Sequence, residues 1–152
     1  MNYRKFGKLE FKKFHPSGSL GVKLKTAEDL MTKKLKIPFI NLNLDINSAL
    51  KIMRKSNMGI IIVIDKKKNT VGIISDGDIK RIKSKNTDFK KIFAKNIMKK
   101  NPISVDKDTL ASKSLAIMTD KKITCLCVHS KKNKMKTIGI LHIHSILNSN
   151  IQ

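Results

Sequence analysis

The chain has 152 residues, 40% of them apolar and including 22 Ile and 13 Leu, which is enough to bury a core and excludes a disordered chain. Lysine and arginine total 33 against 11 acidic residues, a net charge of +22, yet only Arg4, Arg54 and Arg81 are arginines, with one Tyr and no Trp. Surfaces that read nucleic acid rely on bidentate Arg and stacking aromatics, so the charge is read as lysine spread over solvated faces, and nucleic acid is not expected as a partner. The longest apolar run, 58–64, is seven residues. A membrane-spanning helix needs about 20, so no membrane is expected, and with no secretory signal at the start the expected location is cytoplasmic.

Residues 1–23 read as a basic N-terminal arm, with Phe6, Phe11 and Phe14 set among Lys and Gly without a period. From residue 24 the chain repeats itself. Asp29-Leu30-Met31 returns as Asn96-Ile97-Met98, Ile52-Met53 as Ile117-Met118, and Val71-Gly72-Ile73-Ile74 as Ile138-Gly139-Ile140-Leu141. The offsets stay between 65 and 67 residues and the order is kept, so the repeats are placed at 24–90 and 91–152.

In the first repeat a short helical turn ends at Met31 and a brief strand surrounds Pro38. Ile46, Ala49, Leu50 and Met53 then form a one-faced helical stripe behind Asp45 or Asn47 as N-cap. A buried strand at 59–64, a polar turn at 66–69, a strand from Thr70 and a helix at 76–84 complete it. The second repeat offers a helix at 108–120, a strand at 123–128, a turn at 130–136, a strand from Thr137 and a shorter helix at 145–148. The fold class is therefore α/β, with two β-α-β-β-α repeats packed by their sheets as a pseudo-twofold pair.

The chemistry-bearing stretch is Gly72-Ile73-Ile74-Ser75-Asp76-Gly77-Asp78, an apolar strand that ends in a hydroxyl and opens a helix with carboxylates. Ser75 beside free N–H groups suits a phosphate oxygen, and Asp78 suits a ribose diol. Plain helix capping would call for the same residues. Cys125 and Cys127 share a strand face and read as core, with no disulfide expected. Together with His142 and His144 they have the donor types for tetrahedral zinc, but a flat hairpin gives poor ligand angles, so no metal is expected.

The repeat and its Gly-x-x-Ser-x-x-Asp segment resemble a tandem pair of cystathionine-beta-synthase (CBS) domains. The resemblance implies an adenosine nucleotide held at Ser75, Asp76 and Asp78 in repeat one. Repeat two departs from the pattern at His142 and Ser145, so His142 and His144 offer only a weak second site. A longer resemblance, to bacterial arabinose-5-phosphate isomerases, rests on Phe14-His15-Pro16-Ser17-Gly18-Ser19-Leu20-Gly21, Asn57-x-Gly59, Ser75-Asp76-Gly77-Asp78 and Leu141-His142-x-His144. That family interconverts ribulose 5-phosphate and arabinose 5-phosphate for the eight-carbon acid (Kdo) of lipopolysaccharide, and its CBS pair follows the catalytic domain.

Residues 1–23 would then be the end of a sugar isomerase domain whose catalytic part is missing. His15 matches a family active-site His but has no pocket here, so no catalytic residue and no enzyme activity are expected. The expectation is a regulatory module with no required cofactor, sensing an adenosine or cytidine nucleotide or a nucleotide sugar. It would be a homodimer, or the partner of a separately encoded sugar isomerase domain. The alternatives are a basic nucleic-acid-associated protein and an idle remnant of a split isomerase gene.

Overall fold

A computed structural model describes residues 24–85 and 88–151. The expectations placed on 1–23, including His15, lie outside the described residues. In chain order the elements are α1 (Ala27–Leu30), β1 (Thr32–Lys33), β2 (Phe39–Asn41), α2 (Ile46–Ser56), β3 (Ile60–Ile64), β4 (Thr70–Ser75) and α3 (Asp76–Lys83). Then follow α4 (Ala94–Ile97), β5 (Lys99–Lys100), β6 (Ser104–Asp106), α5 (Ala111–Lys121), β7 (Cys125–Ser130), β8 (Asn133–His142) and α6 (Ile143–Ile151). No helix among the described residues is long and apolar enough to cross a membrane.

The amphipathic stripe of α2 buries Ile46, Ala49 and Met53. Asp45 caps it, accepting from Ser48 N at 2.9 Å and from Ser48 Oγ at 2.7 Å. Asn57, at φ 58°, ends α2 in the left-handed conformation, and Lys122, at φ 57°, ends α5 the same way. The two residues stand 65 positions apart, so the repeat extends to the backbone at the helix ends.

Each repeat's strand–helix–strand–strand–helix core builds one sheet. The first sheet has the order β2-β3-β4-β5 and the second β1-β8-β7-β6. In each, one parallel pair (β2 with β3, β6 with β7) lies beside an antiparallel hairpin. The edges are where the repeats intertwine. Strand β1, from the segment ahead of the first sheet, pairs with β8 of the second, with Lys33 opposite Gly139. Strand β5, ahead of the second sheet, closes the first, with Lys100 opposite Gly72.

The same leading segments reach the opposite helix starts. Ala111 N donates to Lys25 O and Ala27 N to Thr109 O, both at 2.8 Å. Ile46 N donates to Ile92 O and Ala94 N to Leu44 O, again at 2.8 Å. Helix α5 has no side-chain cap, so the Lys25 carbonyl satisfies its first donor.

Three apolar clusters hold these layers. Ile61, Val63 and Ile74 of the first sheet pack on Ile46, Met53 and Ile79 of its helices. Leu126, Val128 and Leu141 pack on Ala111, Met118 and Ile146 in the second. Between the sheets lies a smaller cluster of Ile37, Ile60, Ile62, Cys127 and Ile140. Strand β3 therefore faces apolar partners on both sides, which is why 60–63 reads as an unbroken apolar run. At the pseudo-twofold contact the buried hydroxyls of Thr70 and Thr137 share a hydrogen bond of 2.6 Å.

Two sequence expectations need correction. Strand β8 begins at Asn133, four residues before Thr137, because the hairpin turn is confined to Lys131 and Lys132. The run of Lys and Asn has low strand propensity and reads as loop until pairing with β7 recruits it. The closing helix α6 spans nine residues against eight for α3, so it is the longer of the two.

The leading segments pack tightly. A Cβ on Gly139 would lie 2.8 Å from Met31 Cγ and 3.0 Å from the Thr32 carbonyl oxygen. One on Gly72 would meet the Met98 side chain, with Cγ at 2.7 Å and Cβ at 2.9 Å. Neither clash is relieved by a rotamer change alone, because the Thr32 carbonyl and the Met98 Cβ are both held by the backbone. Gly139→Ala and Gly72→Ala are therefore each expected to destabilise by about 1–3 kcal/mol, as read from urea unfolding midpoints.

Candidate functional site

Where β4 runs into α3, the two sheets separate around a cavity of about 380 Å³, within the range of small-molecule pockets. Repeat one supplies Ile60, Ile73, Ser75 and Asp78 to its wall. The segment crossing between repeats supplies Lys99, Lys100, Asn101, Pro102 and Ile103. From repeat two come Lys122, Ile123, Thr124, Cys125 and Cys127. The lining is mostly apolar, with one carboxylate and three lysines among it.

Ser75 and Asp78 are joined to each other. Ser75 Oγ accepts from Asp78 N at 3.3 Å and donates to Asp78 Oδ2 at 3.0 Å, while Ser75 N donates to the same oxygen at 2.9 Å. This is a capping box. Asp78 Oδ1 takes the Arg81 guanidinium and, at 3.7 Å, the Lys99 ammonium. Burial pushes the Asp78 carboxyl up, but the Ser75 hydrogen bonds with Lys99 and Arg81 outweigh it and hold the group below the usual carboxylate range. Helix capping thus accounts for this pair without a ligand. A diol seeking Asp78 would compete with Arg81 and Lys99 for Oδ1.

Asp76, grouped with these two on sequence spacing, is exposed and lines a separate hollow with Arg54, Asn57, Met58 and Gly59. Gly59, at φ 71°, leaves space for it, since a Cβ there would sit 3.0 Å from Asp76 Oδ2. Sequence reasoning missed Lys99, Lys100 and Lys122. The first two lie on a two-residue strand without periodicity, and Lys122 is one lysine among many until the fold brings it into the same cavity wall as Ser75.

The CBS-domain profile matches residues 27–85 and 94–150, the two repeats. The chain belongs to the CBS-domain family. It is 32% identical over 148 residues to an uncharacterised protein of Rickettsia prowazekii, covering 97% of this chain and 45% of that protein. It is 29% identical over 149 residues to arabinose 5-phosphate isomerase KdsD of Pseudomonas aeruginosa, with 97% and 45% covered. The chain thus spans less than half the length of these relatives. Among solved structures, CBSX2 of Arabidopsis thaliana in complex with AMP superposes with a TM-score of 0.72 at 22% identity, over 84% of this chain and 96% of that one. A CBS pair in complex with 5′-methylthioadenosine and S-adenosyl-L-methionine gives 0.72 at 23%, over 82% and 94%.

In the second CBS repeat His142 stands where Ser75 stands in the first, and it does not line the cleft. Its Nδ1 accepts from His144 N at 3.3 Å at the start of α6, a substitute cap, and the two rings stack at 4.9 Å. Burial and the neighbouring His144 lower its pKa from 6.5. Cys125 sits opposite His142, and both thiols line the cleft. Burial raises Cys125, and raises Cys127 to about 12. Among the described residues no group of three or more His, Cys, Asp or Glu is placed to hold a metal.

Because the folded His142 pKa is depressed, its contribution is complete above the unfolded value of 6.5 and is lost as pH falls through the folded one. Protonation at Nδ1 also removes the acceptor. Stability is therefore expected to fall as pH drops below about 6.5 in a series of urea titrations. His142→Asn, which keeps a neutral acceptor, should remove part of that slope.

Proposed function

We propose that this CBS pair is a non-catalytic regulatory module whose cleft takes a nucleotide or nucleotide sugar at Ser75 and Asp78. The carrying observation is the composition of the cleft. Isoleucine surfaces suit a base, Asp78 suits a ribose diol, and the lysines of the wall suit phosphate. AMP in CBSX2, whose fold this chain shares, supports the same class of ligand. Similarity to the isomerase KdsD over 97% of the chain supports regulation of a sugar isomerase acting on arabinose 5-phosphate, in the Kdo branch of lipopolysaccharide synthesis.

In this reading the chain has no isomerase activity of its own and requires no cofactor. It acts as a homodimer, or on an isomerase domain carried by another polypeptide. Ligand binding favours one arrangement of the two repeats and shifts the balance of the assembly toward it. The second-repeat histidines serve α6 and bind no nucleotide.

Thermal unfolding with AMP, ADP, ATP, CMP and a cytidine-linked sugar acid tests this. A ligand at 100 times its Kd stabilises by about 2.7 kcal/mol, a shift of several degrees. Ser75→Ala lowers unliganded stability by about 1 kcal/mol through the lost cap, so each variant is compared with its own unliganded midpoint. The ligand-dependent shift should be lost in Asp78→Asn and kept in His144→Ala. Bound nucleotide should also slow alkylation of Cys125 at alkaline pH. No shift and no protection with any of these ligands would refute the proposal.

A further inference from the structure

The two hairpin turns hold charge that the cleft does not use. Residues 65–69 and 130–136 carry seven lysines and one acidic residue, Asp65. The fold sets these segments side by side, since Lys136 Nζ donates to the Lys67 carbonyl and the Thr70 and Thr137 hydroxyls share their bond at the base of both hairpins. The Asp65 carboxylate closes its own turn, where Oδ1 accepts from Lys67 N and Asn69 N, each at 2.9 Å. Lys131 pairs with Asp108 at 3.3 Å. Lys66, Lys67, Lys68, Lys132, Lys134 and Lys136 make no ion pair among the described residues, and all but Lys136 are exposed. Met135 stands among them, 47% exposed. This end is remote from the cleft, because Thr70 and Ser75 are the two ends of β4, roughly 17 Å apart in an extended strand.

Lysines from both repeats thus form one surface, and such a surface attracts a polyanion. Nucleic acid is read by bidentate Arg and stacking aromatics, and neither turn holds any. An anionic bilayer asks for less. It presents no fixed spacing of phosphates to match, draws lysines by their number, and accepts an apolar side chain between its headgroups. We propose that the paired turns form a docking surface for an anionic lipid membrane, with the lysines over the headgroups and Met135 among them. This is adhesion of a surface and needs no spanning helix. It is independent of the nucleotide reading and leaves the cleft free at the far end of β4.

Co-sedimentation of the full chain with vesicles tests this. Vesicles of two parts phosphatidylcholine to one part phosphatidylglycerol should bind the protein, and binding should fade as salt is raised. Vesicles of phosphatidylcholine alone should not bind it. A lysine near an anionic surface contributes about fivefold, so the triple variant Lys67→Gln, Lys132→Gln, Lys134→Gln should weaken binding by roughly a hundredfold. The triple Lys51→Gln, Lys55→Gln, Lys113→Gln removes the same charge from exposed positions of α2 and α5. It should weaken binding by less than about threefold, because charges away from the contact are screened. Met135→Ser should weaken binding and leave its salt dependence unchanged. Equal weakening by the two triples, binding to phosphatidylcholine alone, or no binding to the anionic vesicles at low salt would overturn the proposal. So would a single-stranded RNA that binds more tightly than the vesicles at equal phosphate and is released by the turn variants, since that surface would then belong to nucleic acid.

Discussion

The architecture depends on a close approach between a methionine and a glycine, made twice. Met31 lies over Gly139 and Met98 over Gly72, each methionine leading into one sheet and packing on the other. Only a residue without a Cβ lets the chain come this near, and the approach seats β1 and β5 at the sheet edges. Once seated, the same segments carry carbonyls to the starts of α2 and α5. Edge pairing, helix capping and inter-repeat contact are thus one constraint. The shared cluster between the sheets is small by comparison, so the repeats are held as much by exchanged segments as by a common core.

That constraint also shapes the cleft. Strand β5 pairs with β4, which places Lys99 beside Asp78, and the chain then turns through Asn101 at φ 51° toward the second sheet. The wall between the repeats is therefore the connection itself. A ligand in the cleft touches a segment that belongs by pairing to one sheet and by sequence to the approach to the other. The capping box keeps Ser75 and Asp78 ordered without a ligand, so the acceptor groups are positioned before anything binds.

Much of this was legible in the sequence. The Met and Gly anchors that revealed the repeat are the residues that touch, although the sequence did not show that each Met meets the Gly of the other repeat. The α2 stripe and the β3 run were readable because each carries a full period. Strands of two residues, Thr32–Lys33 and Lys99–Lys100, carry none, and their pairing is purely tertiary. The Ser75–Asp78 pair was visible as a motif, but capping and ligand binding ask for the same atoms, so spacing could not separate them. Asp76 shared the motif and faces elsewhere, because adjacent residues at a helix start diverge by about 100°. In a chain this rich in lysine, Lys100 and Lys122 stand out only by position.

The unequal make-up of the two sheets bears on the order in which the protein assembles. Residues 39–100 contain every strand of the first sheet, so it is complete as soon as β5 has left the ribosome. The second sheet joins Thr32 to Ile140, and its edge must wait for nearly the whole chain. Closing so long a loop is slow, and until it closes Leu30 and Met31 lack the partners that later cover them. The early half of the molecule thus forms from local contacts, while its first few described residues are among the last to find their place.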